Sequence, residues 1–230
     1  MQEKTIEKNL SVACRDFDSL GLDYELIVVV DGGSDNTFEK ARAFARKYRK
    51  VKVYSYENNM GKGYAIKFGC RFVSKPITAF IDSGMDLPTS QIKLFLSYME
   101  SFDADIVIGS KRHPLSKMHY PLLRRFLSFC YSSFIKILFN LDVSDTQVGF
   151  KVLKSEVVKK VMPKIAVKRF AFDVELLVVA KKFGYKAIEA PITIDFGKIP
   201  STVNLNAIWL MFWETLAVFY RKNITRYYGR

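Results

Sequence analysis

Apolar positions along this chain switch repeatedly between helical spacing and continuous runs. Ile6, Leu10, Ala13, Phe17 and Leu20 recur at helical spacing and predict a helix over residues 2–20, stopped by Gly21. Tyr24–Val30 is an unbroken apolar run, the pattern of a strand buried on both faces of a parallel sheet. It ends in the cap-rich turn 31–37, D-G-G-S-D-N-T, and a helix over about 37–48 follows. The alternation then repeats: a strand at 51–56, a polar turn at 57–63, a helix to about 73, a strand over Ile77–Asp82, a helix over about 88–102 and a strand over Ala104–Gly109. Four strands alternating with helices through short connections predict an α/β fold with right-handed crossovers.

The second half changes character. Residues 111–120 form a basic loop, and Pro121 to about Asn140 reads as a helix with Leu123, Phe126, Leu127, Cys130, Phe134 and Leu138 on one side. A polar loop at 142–150 leads into K-V-L-K, then a short helix over about 155–162, a helix from Phe172 to Gly184 and a strand over 186–195. A loop at 197–202 precedes the last helix, about 204–221. Ala207–Tyr220 is nearly all apolar, carries Trp209, Phe212, Trp213 and Phe219, and is followed by Lys222, Arg226 and Arg230. This stretch is too short and too interrupted to span a bilayer. Aromatics with a basic flank suit a membrane interface, and the competing expectation is packing on the core or in a homo-oligomer seam. The reading divides the chain into a main α/β domain, 1–203, and an amphipathic interface helix with its tail, 204–230.

Composition adds the partners. With a net charge of +13, the chain favours anionic partners such as nucleotide diphosphates or an anionic membrane surface. It carries no recognisable nucleic-acid-binding module, so nucleic acid is not expected. Cys14, Cys70 and Cys130 are widely spaced and odd in number, which reads as free thiols in a reducing compartment. The polar N-terminus lacks a signal-peptide pattern. A peripheral protein on the cytoplasmic face of a membrane is the expected setting.

Candidate chemistry concentrates at Ile77–Pro88. Carboxylates just beyond the C-terminal end of a buried strand lie where open α/β sheets bind ligands. Asp82 and Asp86 are hard oxygen donors suited to Mg²⁺ or Mn²⁺ holding a diphosphate. The plainer reading is that Asp82 ends the strand and Asp86 caps the next helix.

Six stretches, in order, resemble family 2 glycosyltransferases of the GT-A fold, and most closely the dolichyl-phosphate (polyprenyl-phosphate) sugar synthases. They are Asp31–Asp35 (D-G-G-S-D, beside the family's D-D-G-S-x-D), Asn59–Ile66 (N-M-G-K-G-x-A-I), Asp82–Pro88 (beside D-x-D), Asp145–Lys151 (D-T-Q-V-G-F-K), Phe172–Glu175 (F-D-V-E) and Glu189–Ile192 (E-A-P-I). The resemblance implies a Rossmann-like, mostly parallel sheet with flanking helices. Two departures accompany it. The family's opening strand, normally at the sheet centre, has no counterpart ahead of the first helix, which implies either an upstream start or a shortened chain. Gly84 stands where the second Asp of D-x-D belongs, and Gly32 replaces the second Asp of the first turn.

The resemblance implies transfer of a hexose from UDP-glucose or GDP-mannose to dolichyl or polyprenyl phosphate, with inversion and metal assistance. Asp31, Gly32, Gly33, Asp35, Asn59, Gly61 and Lys62 would then serve the nucleotide sugar, with Asp82 and Asp86 on the metal. Asp145 would be a base or orienting carboxylate near the acceptor. Arg112 and Arg124 are the candidates to grip the acceptor phosphate, since a guanidinium fork fits phosphate oxygens. The alternative is a catalytically impaired relative that binds nucleotide or membrane without efficient turnover.

Overall fold

The structure is a computed structural model and describes residues 2–117, 122–194 and 205–229. The predicted loop at 197–202 lies outside these. The first half follows the predicted alternation: α1 (Ile6–Asp18), β1 (Leu26–Asp31), α2 (Thr37–Lys47), β2 (Val51–Tyr56), α3 (Lys62–Gly69), β3 (Ile77–Phe80), α4 (Ile92–Ser101) and β4 (Ile106–Ser110). Then come α5 (Leu122–Phe139), β5 (Lys151–Lys154), α6 (Ser155–Val161), α7 (Phe172–Lys182), β6 (Ala187–Pro191) and α8 (Leu205–Asn223).

The described strands form two sheets. β1 and β2 pair in parallel, and the other four lie in the order β3-β5-β4-β6. β6 is parallel to β4, whereas β5 runs antiparallel between β3 and β4. The sheet is therefore more mixed than the alternation alone predicts. K-V-L-K is only four residues long, and nothing in its pattern says which neighbours it pairs with or in which direction. Leu26 N–H donates to the Lys50 carbonyl, which fixes the phase of the β1–β2 ladder. The N–H groups of Ile27, Val29 and Asp31 consequently point to the other edge of β1, where no described strand pairs. Among the described strands β3 likewise has β5 on one side only.

Helix α1 joins the two sheets across this break. Its Ile6, Leu10 and Cys14 pack with Ala41, Phe44 and Val51, while Ala13 and Phe17 pack in the cluster of Phe95, Val107 and Phe150. Asn9 donates to the Ser83 carbonyl at 2.8 Å, and Thr89 donates to Asp16 at 2.5 Å. The main core surrounds α7, whose residues 172–180 are all buried, and β4, buried throughout. Each large apolar side chain removed from water there contributes about 1.5–3 kcal/mol.

Helix α8 is half core and half surface. Thr215 and Val218 are buried. Glu214 accepts from the N–H groups of Phe170 and Ala171 at 2.8 and 2.9 Å, satisfying orphan donors at the start of α7. Arg221 Nε at 3.1 Å and the buried Tyr228 hydroxyl both donate to the wholly buried Glu175. Trp209, Leu210, Trp213 and Tyr220 are exposed, as are Phe126, Phe129 and Ile137 of α5. The two helices meet through the Phe134 and Phe212 rings, 5.1 Å apart, and the 2.9 Å hydrogen bond between Tyr131 and Thr215. Among the described residues no helix is long and apolar enough to cross a membrane.

Candidate active site

The polar turns at the C-terminal ends of β1, β2 and β3 pack on one another, and glycines make this close approach feasible. Gly32 has φ +56°, and a Cβ there would lie 2.4 Å from Asn59 N. Gly61, at φ +96°, would bring a Cβ within 2.6 Å of the Arg169 side chain and 2.7 Å of the Lys168 carbonyl. Both are backbone conformations that favour glycine. Gly63 lies equally tight against Phe172, its Cβ position 2.6 Å from the Phe172 Cβ.

Asp31 braces this crest. Its Oδ1 accepts from the Tyr56 hydroxyl at 2.8 Å and from Met60 N–H at 2.7 Å, and its Oδ2 accepts from Gly61 N–H at 2.9 Å. Asn59 donates to the Asp31 carbonyl at 3.0 Å. Asp31 and Asn59 thus shape the loop that presents Gly61 and Lys62. Gly33 is exposed with room for a Cβ, and Asp35 accepts from Thr37 N–H at 3.3 Å in the first turn of α2. Hydrogen bonding from Thr37, its hydroxyl first and its N–H second, holds the Asp35 carboxyl below the usual carboxylate range.

Lys62 opens α3 and reaches two carboxylates. Its ammonium lies 3.0 and 3.2 Å from the two Asp82 oxygens and 3.7 Å from Asp173 Oδ2. Desolvation acts to lower its pKa, but Asp173 and Asp82 outweigh it and hold it above the ordinary lysine value. Asp82 lies two residues beyond β3 and is half exposed. Its Oδ2 sits 1.8 Å from where a Cβ on Gly149 would be, so the carboxylate rests directly on the 145–151 stretch. Met85 takes φ 55° and donates its N–H to the Asp82 carbonyl, folding Asp86 back so that its carboxylate lies 3.6 Å from the Cβ position of Gly84.

Lys151 is the buried centre of this arrangement, 1% exposed at the start of β5. It pairs with Asp173 Oδ1 at 2.7 Å and donates to the Val148 carbonyl at 2.5 Å. Burial pushes its pKa down, opposed by Asp173.

Asp145 is buried rather than open to a substrate. Its Oδ2 accepts from Lys111 N–H at 3.0 Å, and its Oδ1 accepts from Gln147 N–H at 3.2 Å. Its own N–H and that of Ser144 donate to Glu189 Oε1 at 2.8 and 2.9 Å. The carboxylate thus fixes the loop to the end of β4. Arg112 donates to the Ser128 carbonyl of α5 at 2.7 Å, with its guanidinium 5.8 Å from the Phe129 ring centre. Arg124 belongs to α5, but its side chain lies outside the described residues.

The structure therefore brings Lys62, Asp82 and the 145–151 stretch together, with Asp173 paired to Lys151 of that stretch and Glu189 bonded to the backbone at its start. Lys151, Asp173 and Glu189 were legible only as members of the D-T-Q-V-G-F-K, F-D-V-E and E-A-P-I stretches, because a contact between residues far apart in sequence leaves no trace in periodicity.

Divalent-cation binding can be tested against the donor set. Among the described residues no group of three or more His, Cys, Asp or Glu side chains could hold a metal. Mg²⁺-type ions at phosphate sites are commonly held by one or two carboxylates, with substrate phosphates and water completing the shell. Half-exposed Asp82 and neighbouring Asp86 fit that pattern.

Comparison with known proteins gives the family and the fold. The sequence matches glycosyl transferase family 2 over residues 2–162. A dolichyl-phosphate beta-glucosyltransferase of Trichomonas vaginalis, ALG5D, is 30% identical over 236 residues, covering 97% of this chain and 70% of that protein. The Homo sapiens dolichyl-phosphate beta-glucosyltransferase is 32% identical over 172 residues, covering 70% of this chain. The chain spans about half the length of most of the curated relatives it matches, 52% for the human protein. Among solved structures, glucosyl-3-phosphoglycerate synthase of Mycobacterium tuberculosis, with Mn²⁺, UDP and phosphoglyceric acid, superposes with a TM-score of 0.68. It is 18% identical, and the match covers 95% of this chain and 74% of that one. The fold is the GT-A fold, and the chain belongs to glycosyl transferase family 2.

Proposed function

We propose that this chain transfers glucose from UDP-glucose to the phosphate of dolichol or a related polyprenol, with inversion at the anomeric carbon. The observation that carries the reading is the convergence of Lys62, Asp82 and the 145–151 stretch at the strand ends. The relatives named as dolichyl-phosphate beta-glucosyltransferases support the donor and acceptor class. GDP-mannose is the competing donor.

In this reading the turns 31–35 and 59–63 receive the nucleotide, with Gly32 and Gly61 letting the turns pack closely and Gly33 leaving open backbone. A divalent cation, when bound, would be held by Asp82 and Asp86 and would neutralise charge on the diphosphate. Lys62 lies beside Asp82 and places a fixed positive charge next to the same leaving group. An acceptor phosphate oxygen bonds to the anomeric carbon as the bond to the diphosphate breaks. The acceptor is already anionic, so it needs orientation more than deprotonation. Arg112 and Arg124 supply that orientation, and Asp145 holds the loop that faces it.

The outward apolar faces of α5 and α8 serve as the membrane-contacting surface, which makes residues 204–230 the interface element. Such a surface would let the enzyme sit on the cytoplasmic face of the membrane holding its lipid acceptor. Gly84, standing where the second Asp of D-x-D belongs, favours a second reading, a family relative that binds nucleotide with little turnover.

The test is transfer of radiolabel from UDP-glucose and GDP-mannose to dolichyl phosphate, with and without Mn²⁺, alongside calorimetry with UDP. Metal-dependent transfer from UDP-glucose is expected. UDP binding without transfer would leave the second reading standing, and absence of both would remove the nucleotide-sugar assignment.

A further inference from the structure

We infer that Asp173 is a positioning residue that locks the nucleotide-side loop and the acceptor-side loop into one register, an inference that rests on the transferase reading above. Asp173 lies in the first turn of α7, is 5% exposed and belongs to a helix whose residues 172–180 are all buried. Each of its oxygens faces a different loop. Oδ1 holds Lys151 at 2.7 Å, and Lys151 in turn donates to the Val148 carbonyl, inside the stretch that carries Asp145 and Gly149. Oδ2 faces Lys62 at 3.7 Å, and Lys62 opens α3 and grips Asp82.

Two close contacts leave little slack in this arrangement. Gly63 abuts Phe172, the residue before Asp173, and Asp82 rests on Gly149. A displacement of either loop relative to α7 must stretch an ion pair to Asp173. The α7 N-terminus adds a favourable field for the carboxylate.

Stability alone does not account for the pair. A buried ion pair is commonly no more stabilising than apolar side chains of the same volume. Lys151 is also wholly buried, so it does not reach a substrate. What the pair supplies is direction: one carboxylate fixes two cations, and through them the leaving-group side and the acceptor side of the site.

The experiment uses the full chain and the double variant Asp173→Asn/Lys151→Met, which removes both buried charges together and so leaves neither unpaired. A thermal melt establishes that it folds. Hydrogen exchange is then followed without any ligand in the segments 59–65 and 146–151. Both segments should exchange faster than in the wild type, and wild-type exchange in either one would overturn the bridge. In the transfer assay kcat should fall by about tenfold or more, as for misoriented reactants, while both KM values stay within about threefold. A double variant with wild-type kcat would reduce Asp173 to a structural residue and overturn the inference. If the wild type itself transfers nothing, the transferase reading falls, and the exchange result alone decides whether the bridge exists.

Discussion

Replacing Gly149 with Ala tests the seat of Asp82 most directly. The added Cβ would lie 1.8 Å from Asp82 Oδ2 and 2.4 Å from its Cγ. An ordinary contact needs about 3.5 Å, so one partner must move by roughly 1.7 Å. The obstructing atoms belong to a half-exposed side chain at a loop, so the carboxylate swings away more easily than the backbone shifts. The expected stability loss is about 1 kcal/mol, at the low end for overpacking, or roughly 2–4 °C in the melting midpoint for a chain of this size. The functional loss should be far larger. A displacement of that size separates Asp82 from Lys62, and misplacement by about 1 Å can cost roughly 100-fold in rate. The assay is transfer from UDP-glucose to dolichyl phosphate beside a circular-dichroism melt, with Gly33→Ala as control. At Gly33 a Cβ meets only Asp35 Oδ1 at an ordinary 3.7 Å, so that variant should melt like the wild type. A Gly149→Ala protein with wild-type turnover would show that the position of Asp82 against the 145–151 stretch does not matter to the reaction.

Three further outcomes follow from the geometry. Along β1, the amides of Val28 and Val30 should exchange slowly and those of Ile27 and Val29 faster, because only the first pair faces β2; uniform protection, measured by residue-resolved exchange, would mean the free edge is covered. Glu25 is desolvated, which opposes ionisation, but donation from Lys52 and from the Ser74 N–H and hydroxyl outweighs this and lowers its pKa. Its contribution is therefore complete above the unfolded value of about 4.3 and lost as the pH falls through the lower folded value. Glu25→Gln should thus destabilise at pH 7 and become neutral in strong acid, as read from urea midpoints at both. A thiol reagent at pH 8 should modify exposed Cys130 first, because Cys14 is buried and raised by desolvation, and burial pushes the Cys70 thiol up to about 12; rapid labelling of Cys70, located by peptide mass, would contradict that burial.

Much of this protein was determined by sequence alone. The strand patterns at Tyr24–Val30, Val51–Tyr56 and Ala104–Gly109 and the helical spacing of Ile6 to Leu20 dictated elements within a few residues of those observed, because burial period is a local property. The motif turns also placed Asp82 and Lys62 at strand ends, where glycines and caps must break the backbone. Strand order was beyond its reach. Nothing in K-V-L-K says that it runs antiparallel between β3 and β4, since either direction buries the same side chains. Nor does periodicity reveal that Asp145 is buried against Lys111, or that Asp173 sits between Lys62 and Lys151, residues 111 and 22 positions away. Those charges are tolerated only because tertiary packing brings opposite partners within ion-pair reach, and an unpaired charge in the same place would be too costly to bury. The sequence specified which groups exist, and the packing of α7 under two loops decided which of them meet.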